Sequence, residues 1–183
     1  MPQVSQHADV PSDRINVGQG SFHVTDHPAK LLTTVLGSCV ACCLFDPVCR
    51  VGGMNHFLLP EPRGGARCEG GEAERYGLFA MELLVNEMLK AGASRRRLRA
   101  HLYGGANMLS GMQPIGTANA AFARHFLEQD GISLIHWDLG GRLARRIDFK
   151  AAVGQARCRT VEAPPTIERQ PPPIVAHGDL ELF

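Results

Sequence analysis

Two short apolar segments separated by a predicted turn constrain the fold of this chain more than any other feature. Residues 40–45 are VACCLF, and residues 51–59 are VGGMNHFLL. The Asp46-Pro47 step between them is typical of a type I turn, because Asp is favoured at the first position and Pro at the second. We therefore predict a β-hairpin. Its strands are apolar on both faces, which is typical of strands in the middle of a covered sheet.

Segments with helical and strand patterns follow the hairpin. Apolar residues at helical spacing predict two helices, each closed by a glycine, over residues 72–91 and 115–130. Short β-tolerant segments predict four more strands, over residues 98–103, 132–137, 143–149 and 156–161. Strands that come first and then alternate with two helices predict an α+β fold. In that fold a mixed sheet carries its helices on one side.

The domain organisation follows from length and composition. The chain has 183 residues, which is enough for one domain with a substantial core. Residues 1–16 are mostly polar and are predicted to be a flexible N-terminal arm, and residues 17–162 are predicted to be the folded domain. Residues 163–183 contain five prolines and are predicted to be an extended tail.

Charge and hydropathy exclude several classes of partner. The 19 basic and 18 acidic residues nearly cancel, so neither nucleic acid nor an anionic membrane is expected as the main partner. No apolar run approaches the ~20 residues that a membrane span needs, and the first residues lack the pattern of a signal peptide. We therefore expect a cytoplasmic protein. Its six cysteines are then expected to be thiols rather than disulfides.

The predicted hairpin can bring a thiol and an imidazole together. If Asp46 pairs with Cys49 across the turn, the register continued outward places Cys39 opposite His56. Directly opposed side chains on antiparallel strands have Cβ atoms about 4.5–5.5 Å apart. A slip of one residue would put the two on opposite faces, so the pairing depends on the register.

Such a pair is typical of a cysteine nucleophile with a histidine base. The histidine takes the thiol proton, and the imidazolium then stabilises the thiolate. Gly37 and Ser38 come directly before Cys39, where a glycine permits a sharp bend and exposed N–H groups can bind an oxyanion. A third group must orient the imidazole, and the polar candidates upstream are Thr33, Thr34 and Ser38.

Other interpretations of the same residues remain open. Cys39 and Cys42 form a C-x-x-C pattern that could indicate zinc or redox chemistry, but no second ligand pair is present. Residues three apart on a strand point to opposite faces, which argues against a shared metal or disulfide. The arginines of residues 95–99 are either a solvated turn or a docking patch for an acidic partner. The glycine-rich segments 103–107 and 138–141 are either loops over the site or tight turns.

The residues also resemble a known family. LGSCVACCLFDP followed by GGMNHFLLP resembles the bacterial chemoreceptor glutamine deamidases (CheD), and GGANM, PIGTAN and DLGG follow in the same order. The resemblance covers about residues 17–161. It implies packed mixed β-sheets with helices on the outside, a layered sandwich similar to bacterial toxin cysteine deamidases.

The resemblance also implies an activity and a set of site residues. It implies a cysteine hydrolase that converts glutamine side chains of methyl-accepting chemotaxis receptors to glutamate. Cys39 matches the nucleophile, His56 the histidine, and Thr33 the triad threonine, with Thr34 beside it as an alternative. Gly37 and Ser38 are expected to give backbone support. No metal or cofactor is expected.

Partners and rival functions follow from the same resemblance. Besides the receptors, a CheC-type chemotaxis phosphatase is an expected partner, and no membrane insertion is expected. One rival function is a binding module that regulates the phosphatase circuit without catalysis. Another is a small cysteine protease, which uses the same nucleophile chemistry.

Overall fold

The computed structural model describes residues 13–59, 71–108 and 114–161, in which strands dominate. The strands are β1 (Asp13–Asn16), β2 (Phe22–Thr25), β3 (Lys30–Leu36), β4 (Val40–Asp46), β5 (Val51–Asn55), β6 (Arg99–Gly104), β7 (Ser133–Leu139), β8 (Ala144–Lys150) and β9 (Gln155–Val161). The helices are α1 (Gly71–Lys90) and α2 (Ile115–Gln129).

Two sheets pack face to face. One has four strands in the order β1-β3-β8-β9, and the other has five in the order β2-β5-β4-β6-β7. The β1–β3 and β6–β7 pairs are parallel and the other pairs are antiparallel, so both sheets are mixed. This arrangement confirms the predicted α+β class.

The strand β4 lies at the centre because both of its faces are apolar. All seven of its residues are buried. Val40, Cys42 and Leu44 pack toward the helices, whereas Ala41 and Cys43 pack toward the four-stranded sheet. Alternation of side chains along the strand thus supplies both cores at once. The layers are helices, five-stranded sheet and four-stranded sheet.

The predicted elements match the structure in most places. Both helices and the predicted hairpins lie within a few residues of their expected bounds. The predicted N-terminal arm is too long, because Asp13–Asn16 form β1 and pair with β3. The tail of residues 163–183 and Cys68 lie outside the described residues. Neither α1 nor α2 has a stretch long and apolar enough to cross a membrane.

Part of the basic run has a structural role. The Arg97 guanidinium forms an ion pair with Asp46, whose side chain is completely buried at the end of β4. Arg95 forms an ion pair with Asp130 at the end of α2. These two arginines therefore fasten the segment before β6 to the hairpin turn and to α2, which differs from the solvated turn and the docking patch considered above.

Candidate active site

Cys39 lies at the bend between β3 and β4, and the carbonyl groups of this bend are all fixed by hydrogen bonds. The donors come from residues after β6 and from α2: the Ala106 N–H to Gly37 (2.9 Å), the Asn119 side-chain amide to Ser38 (2.8 Å) and the Gly105 N–H to Cys39 (2.7 Å). Since three carbonyl groups are held on one side, the bend has a defined orientation.

The N–H groups of the same bend remain available. Within residues 13–59, 71–108 and 114–161, no other residue accepts a hydrogen bond from the N–H of Ser38 or Cys39. Free N–H groups beside a nucleophile are the donors that an oxyanion needs.

The glycine at the end of β6 allows the close approach of the two segments. Gly104 has a φ of 105°, which favours glycine. A Cβ atom there would lie 2.2 Å from the carbonyl oxygen of Cys39. The segment of residues 103–107 is neither a simple turn nor a loop over the site. Its N–H groups donate hydrogen bonds to the carbonyl groups of the bend that carries Cys39.

The hairpin register differs from the predicted one by two residues. The prediction paired Asp46 with Cys49, whereas Asp46 pairs with Val51, and the same register continues to the far end of the strands. Cys39 is therefore diagonal to His56 rather than directly opposite. A shift of two keeps both side chains on one face, and diagonal neighbours about 7–8 Å apart can still interact.

The turn explains the shift. The Asp46 carbonyl accepts a hydrogen bond from the N–H of Arg50 at 3.0 Å, and the Asp46 carboxylate accepts one from Val48 at 2.9 Å. Arg50 has a φ of 57°, an uncommon conformation for a residue with a β-carbon. The loop therefore holds four residues instead of the expected two, and this moves the pairing by two positions.

The imidazole of His56 is oriented through its Nδ1 atom. Nδ1 lies 2.9 Å from the Thr34 hydroxyl oxygen and 3.3 Å from the carbonyl oxygen of Val17. The Thr34 hydroxyl donates its own proton to the Val17 carbonyl at 2.7 Å. The arrangement in which Thr34 donates to Val17 and accepts from Nδ1 satisfies all three groups, and it places the proton on Nδ1. Nε2 then has a free lone pair, and no described residue forms a hydrogen bond with it.

Thr33 lies on the other face of β3. Its hydroxyl donates to the carboxylate of Asp148 at 3.0 Å. Neighbouring residues on a strand point to opposite faces, so only one of the two threonines can face His56. The expectation that Thr33 orients the imidazole is thus corrected: the contact is made by Thr34, the alternative that the sequence left open.

Burial keeps both reactive groups neutral at rest. Burial raises the pKa of the Cys39 thiol to about 11, against a smaller lowering by its own N–H. Burial also lowers the pKa of His56, against a smaller raising by the Val17 carbonyl. A reaction at the Cys39 sulfur would therefore form the thiolate during attack, with the proton passing to a neutral imidazole.

Two polar residues near the site, Gln19 and Asn119, were not among the predicted site residues. The thiol of Cys39 donates to the side-chain carbonyl of Gln19 at 3.7 Å. Asn119 is completely buried and also accepts the N–H of Leu59 at 2.9 Å, which joins the bend at Cys39 to the chain after His56. Asn119 could have been identified as an amide that lies among Ala118, Phe122 and Phe126 on the apolar face of a helix. No pattern in the sequence indicates a role for Gln19.

The C-x-x-C pattern is divided between the two cores. Cys39 packs in the core between the sheets, and Cys42 packs in the core beneath the helices. The two thiols therefore point away from each other, as the strand prediction required. Across residues 13–59, 71–108 and 114–161, no three His, Cys, Asp or Glu side chains are grouped to hold a metal ion.

A family model matches a large part of the chain. The model described as "CheD chemotactic sensory transduction" matches residues 58–160. The match begins after His56, so it includes both helices but not the bend that carries Cys39.

Curated relatives extend the similarity over nearly the whole chain. The chain is 48% identical over 179 residues to a "Probable chemoreceptor glutamine deamidase CheD" of Caulobacter sp. (strain K31), covering 94% of each chain. The protein of the same name from Zymomonas mobilis is 50% identical over 170 residues, covering 93% of this chain and 92% of that protein. The one from Agrobacterium fabrum is 42% identical over 177 residues, covering 93% and 96%.

Similarity to solved structures is weaker. The crystal structure of Bacillus licheniformis hypothetical protein YfiH aligns with 64% of this chain and 49% of that chain, at 17% identity and a TM-score of 0.43. A score at that level carries no conclusion about function or fold.

Proposed function

The chain belongs to the CheD family, and on that premise we propose that it deamidates glutamine side chains of chemoreceptors. The relatives that carry this name align with more than nine tenths of the chain. The site residues proposed for the reaction are Cys39 as nucleophile, His56 as base and Thr34 as the group that orients the base.

The reaction begins with proton transfer and attack. His56 Nε2 takes the proton from the Cys39 thiol while the sulfur forms a bond to the carbon of the substrate carboxamide. The carbonyl π-bond opens and its electron pair moves to oxygen. The free N–H groups of Ser38 and Cys39 are the proposed donors to that oxyanion.

The reaction ends with two releases. The proton on His56 passes to the amide nitrogen, the carbon–nitrogen bond breaks, and ammonia leaves a thioester on Cys39. His56 then takes a proton from water, and the hydroxide attacks the thioester carbon. The carbon–sulfur bond breaks, the sulfur regains a proton, and the product is a glutamate side chain.

The hydrogen-bond environment of His56 is the observation that carries this proposal. With Thr34 and Val17 accepting from Nδ1, Nε2 has no partner among the described residues, and the strand register places His56 and Cys39 on one face. A histidine that only filled the core would be expected to have both nitrogens partnered, because an unpaired buried polar atom is costly. An unpartnered, unprotonated nitrogen is what a general base needs.

The finer predictions about partners remain part of the proposal. A CheC-type phosphatase partner and a cytoplasmic location stay predictions. If the chain is only a binding module, no deamidation is expected. If it is a small cysteine protease, cleavage of the backbone is expected.

Mass spectrometry of a purified receptor cytoplasmic fragment tests the proposal. We expect the wild-type chain to convert receptor glutamines to glutamates without backbone cleavage, and Cys39→Ala to convert none. Cys49→Ala is the matched control, because it removes a half-buried thiol from the hairpin turn instead of the bend. Equal conversion by Cys39→Ala and wild type would refute the nucleophile.

A second variant tests the base. His56→Ala should lower kcat by at least about 100-fold, the usual contribution of a general base. Full activity in that variant, with its fold intact by circular dichroism, would remove His56 from the mechanism.

A further inference from the structure

Gln19 lies against the reacting sulfur. It is in the segment between β1 and β2, and its side-chain carbonyl oxygen accepts a hydrogen bond from the Cys39 thiol at 3.7 Å. Gln19 itself is exposed, whereas only 9% of the Cys39 surface is accessible to solvent. This contact therefore joins the nearly buried thiol to an exposed polar side chain.

The main chain around Gln19 is fastened to the base. The N–H of Gly20 donates to the His56 carbonyl at 2.7 Å, and the N–H of His56 donates to the Ser21 carbonyl at 3.0 Å. On the other side of Gln19, the Val17 carbonyl accepts from Thr34 and faces Nδ1 of His56. The segment that orients the imidazole thus also presents Gln19 to the thiol.

The resting contact must change when the reaction starts. A carbonyl oxygen is a good acceptor for a thiol proton, but it repels a thiolate and an oxyanion. The amide end of the same group carries two N–H donors and has nearly the same shape as the carbonyl end. Because the side chain is exposed, rotation about its last bond can exchange the two ends.

We infer that Gln19 is a further catalytic residue, whose side-chain amide donates a hydrogen bond to the developing negative charge at Cys39. This inference rests on the proposed function for the identity of the reaction. It adds a mobile donor to the fixed N–H groups of Ser38 and Cys39. The need for such a donor is clear from the burial that raises the pKa of the Cys39 thiol.

The pKa of Cys39 gives the test a definite sign. His56, Cys43 and Tyr103 are titratable groups on the same face as the thiol, and all three stay unchanged in the variants. If Gln19 stabilises the thiolate, Gln19→Ala raises the apparent pKa of Cys39. If Gln19 only accepts the thiol proton, the same variant lowers it, because the group that favoured the protonated form is gone.

The experiment measures iodoacetamide alkylation of the Cys39 peptide against pH in the full-length chain, by mass spectrometry. For Gln19→Ala we expect the apparent pKa to rise by about one unit, so that alkylation near neutral pH slows about tenfold. Gln19→Glu should raise it further, since a carboxylate of the same shape removes the donor and adds negative charge. Gln155→Glu, an exposed residue of β9, is the control for net charge and should match wild type.

Turnover completes the test. With the receptor fragment we expect kcat for Gln19→Ala to fall about 100-fold, the cost of losing one oxyanion donor. An unchanged or lowered Cys39 pKa would overturn the inference. Conversion of Gln19 itself to glutamate by wild type but not by Cys39→Ala would also overturn it, because Gln19 would then be a substrate. If wild type leaves receptor glutamines unchanged while the pKa rises in Gln19→Ala, the proposed function fails and the donor role stands.

Discussion

At the residue scale, the proposed base depends on neutral groups and not on a carboxylate. The Val17 carbonyl accepts from Thr34, and Thr34 accepts from Nδ1 of His56. A neutral acceptor orients the imidazole and fixes its tautomer but stabilises an imidazolium less than a carboxylate does. The imidazolium is therefore expected to be short-lived, with its proton passed on promptly to the leaving amine.

Exchanging each threonine in turn tests this assignment. Thr34→Val keeps the shape but removes the acceptor at Nδ1, so we expect kcat to fall about 10- to 100-fold as the wrong tautomer becomes populated. Thr33→Val should leave kcat within about twofold and lower the free energy of unfolding by about 1 kcal/mol, because only the hydrogen bond to Asp148 is lost. The reverse pattern in the deamidation assay would return the role to Thr33.

The stability of the chain should depend on pH through His56. Burial lowers its pKa, so below the ordinary histidine value of about 6.5 the unfolded chain binds more protons than the folded chain. The free energy of unfolding therefore has its full value above about pH 6.5 and falls as the pH drops below that value. In His56→Ala we expect urea titrations to show a shallower fall, by up to about 1.4 kcal/mol per pH unit. Parallel curves for the two proteins would contradict the lowered pKa.

At the element scale, the bend before β4 is supported from outside the hairpin. The residues after β6 donate to the carbonyls of Gly37 and Cys39, and Asn119 of α2 donates to Ser38. Elements distant in sequence thus set the orientation of the bend at Cys39. A substitution that disturbs these hydrogen bonds should lower activity while the pairing of β4 with β5 stays intact.

Gly104 and Gly92 provide a matched pair for testing the support. Both have a φ near +100°, at 105° and 97°, so alanine costs a similar backbone strain of about 1–2 kcal/mol at either position. Only at Gly104 would the new Cβ collide with the Cys39 carbonyl, whereas nothing lies within 4 Å at Gly92. We expect Gly104→Ala to lose most of its kcat in the deamidation assay and Gly92→Ala to keep it.

Equal activity of these two variants, both folded by circular dichroism, would show that the position of the Cys39 carbonyl is not important for turnover. Thermal unfolding of the two variants gives a second comparison if Gly104→Ala folds with lowered stability. The difference between their midpoints then reports the effect of the collision.

The sequence predicted both helices and the strands from β4 onward, but it did not predict β1, β2 and β3. Both strands of the hairpin could be predicted because their apolar pattern is local. The register could not, because nothing in the sequence signals that Arg50 adopts a left-handed conformation. The choice between Thr33 and Thr34 depends on how β3 pairs with β8, which is a long-range property. Gln19 depends on a loop that no periodicity describes.

At the scale of the whole molecule, Asp46 joins parts that are distant in the chain. Burial alone would raise the pKa of its carboxyl, but hydrogen bonds from Arg97 and from the N–H groups of Ser94 and Val48 hold the pKa well below its usual range. One carboxylate thus connects the hairpin turn with the segment between α1 and β6.

Neutralising this carboxylate should destabilise the molecule as a whole. For Asp46→Asn we expect the free energy of unfolding to fall by about 2 kcal/mol, the usual contribution of hydrogen bonds to a charged group, because Asp46 is buried while Arg97 is partly exposed. Glu87→Gln is the isosteric control, because its pair with Lys90 is exposed and should contribute no more than about 0.5 kcal/mol. Urea denaturation of the three proteins at neutral pH gives both values. An equal effect of the two variants would contradict the structural role of Asp46.

The imidazole and the hydroxyl that orients it come from different sheets, since His56 follows β5 and Thr34 belongs to β3. A small slide of one layer over the other would separate them without breaking a single strand pairing. Such a molecule would keep its circular dichroism spectrum and yet be inactive. An inhibitor therefore need not contact the sulfur. A compound that binds between the two sheets and separates His56 from Thr34 is expected to lower kcat.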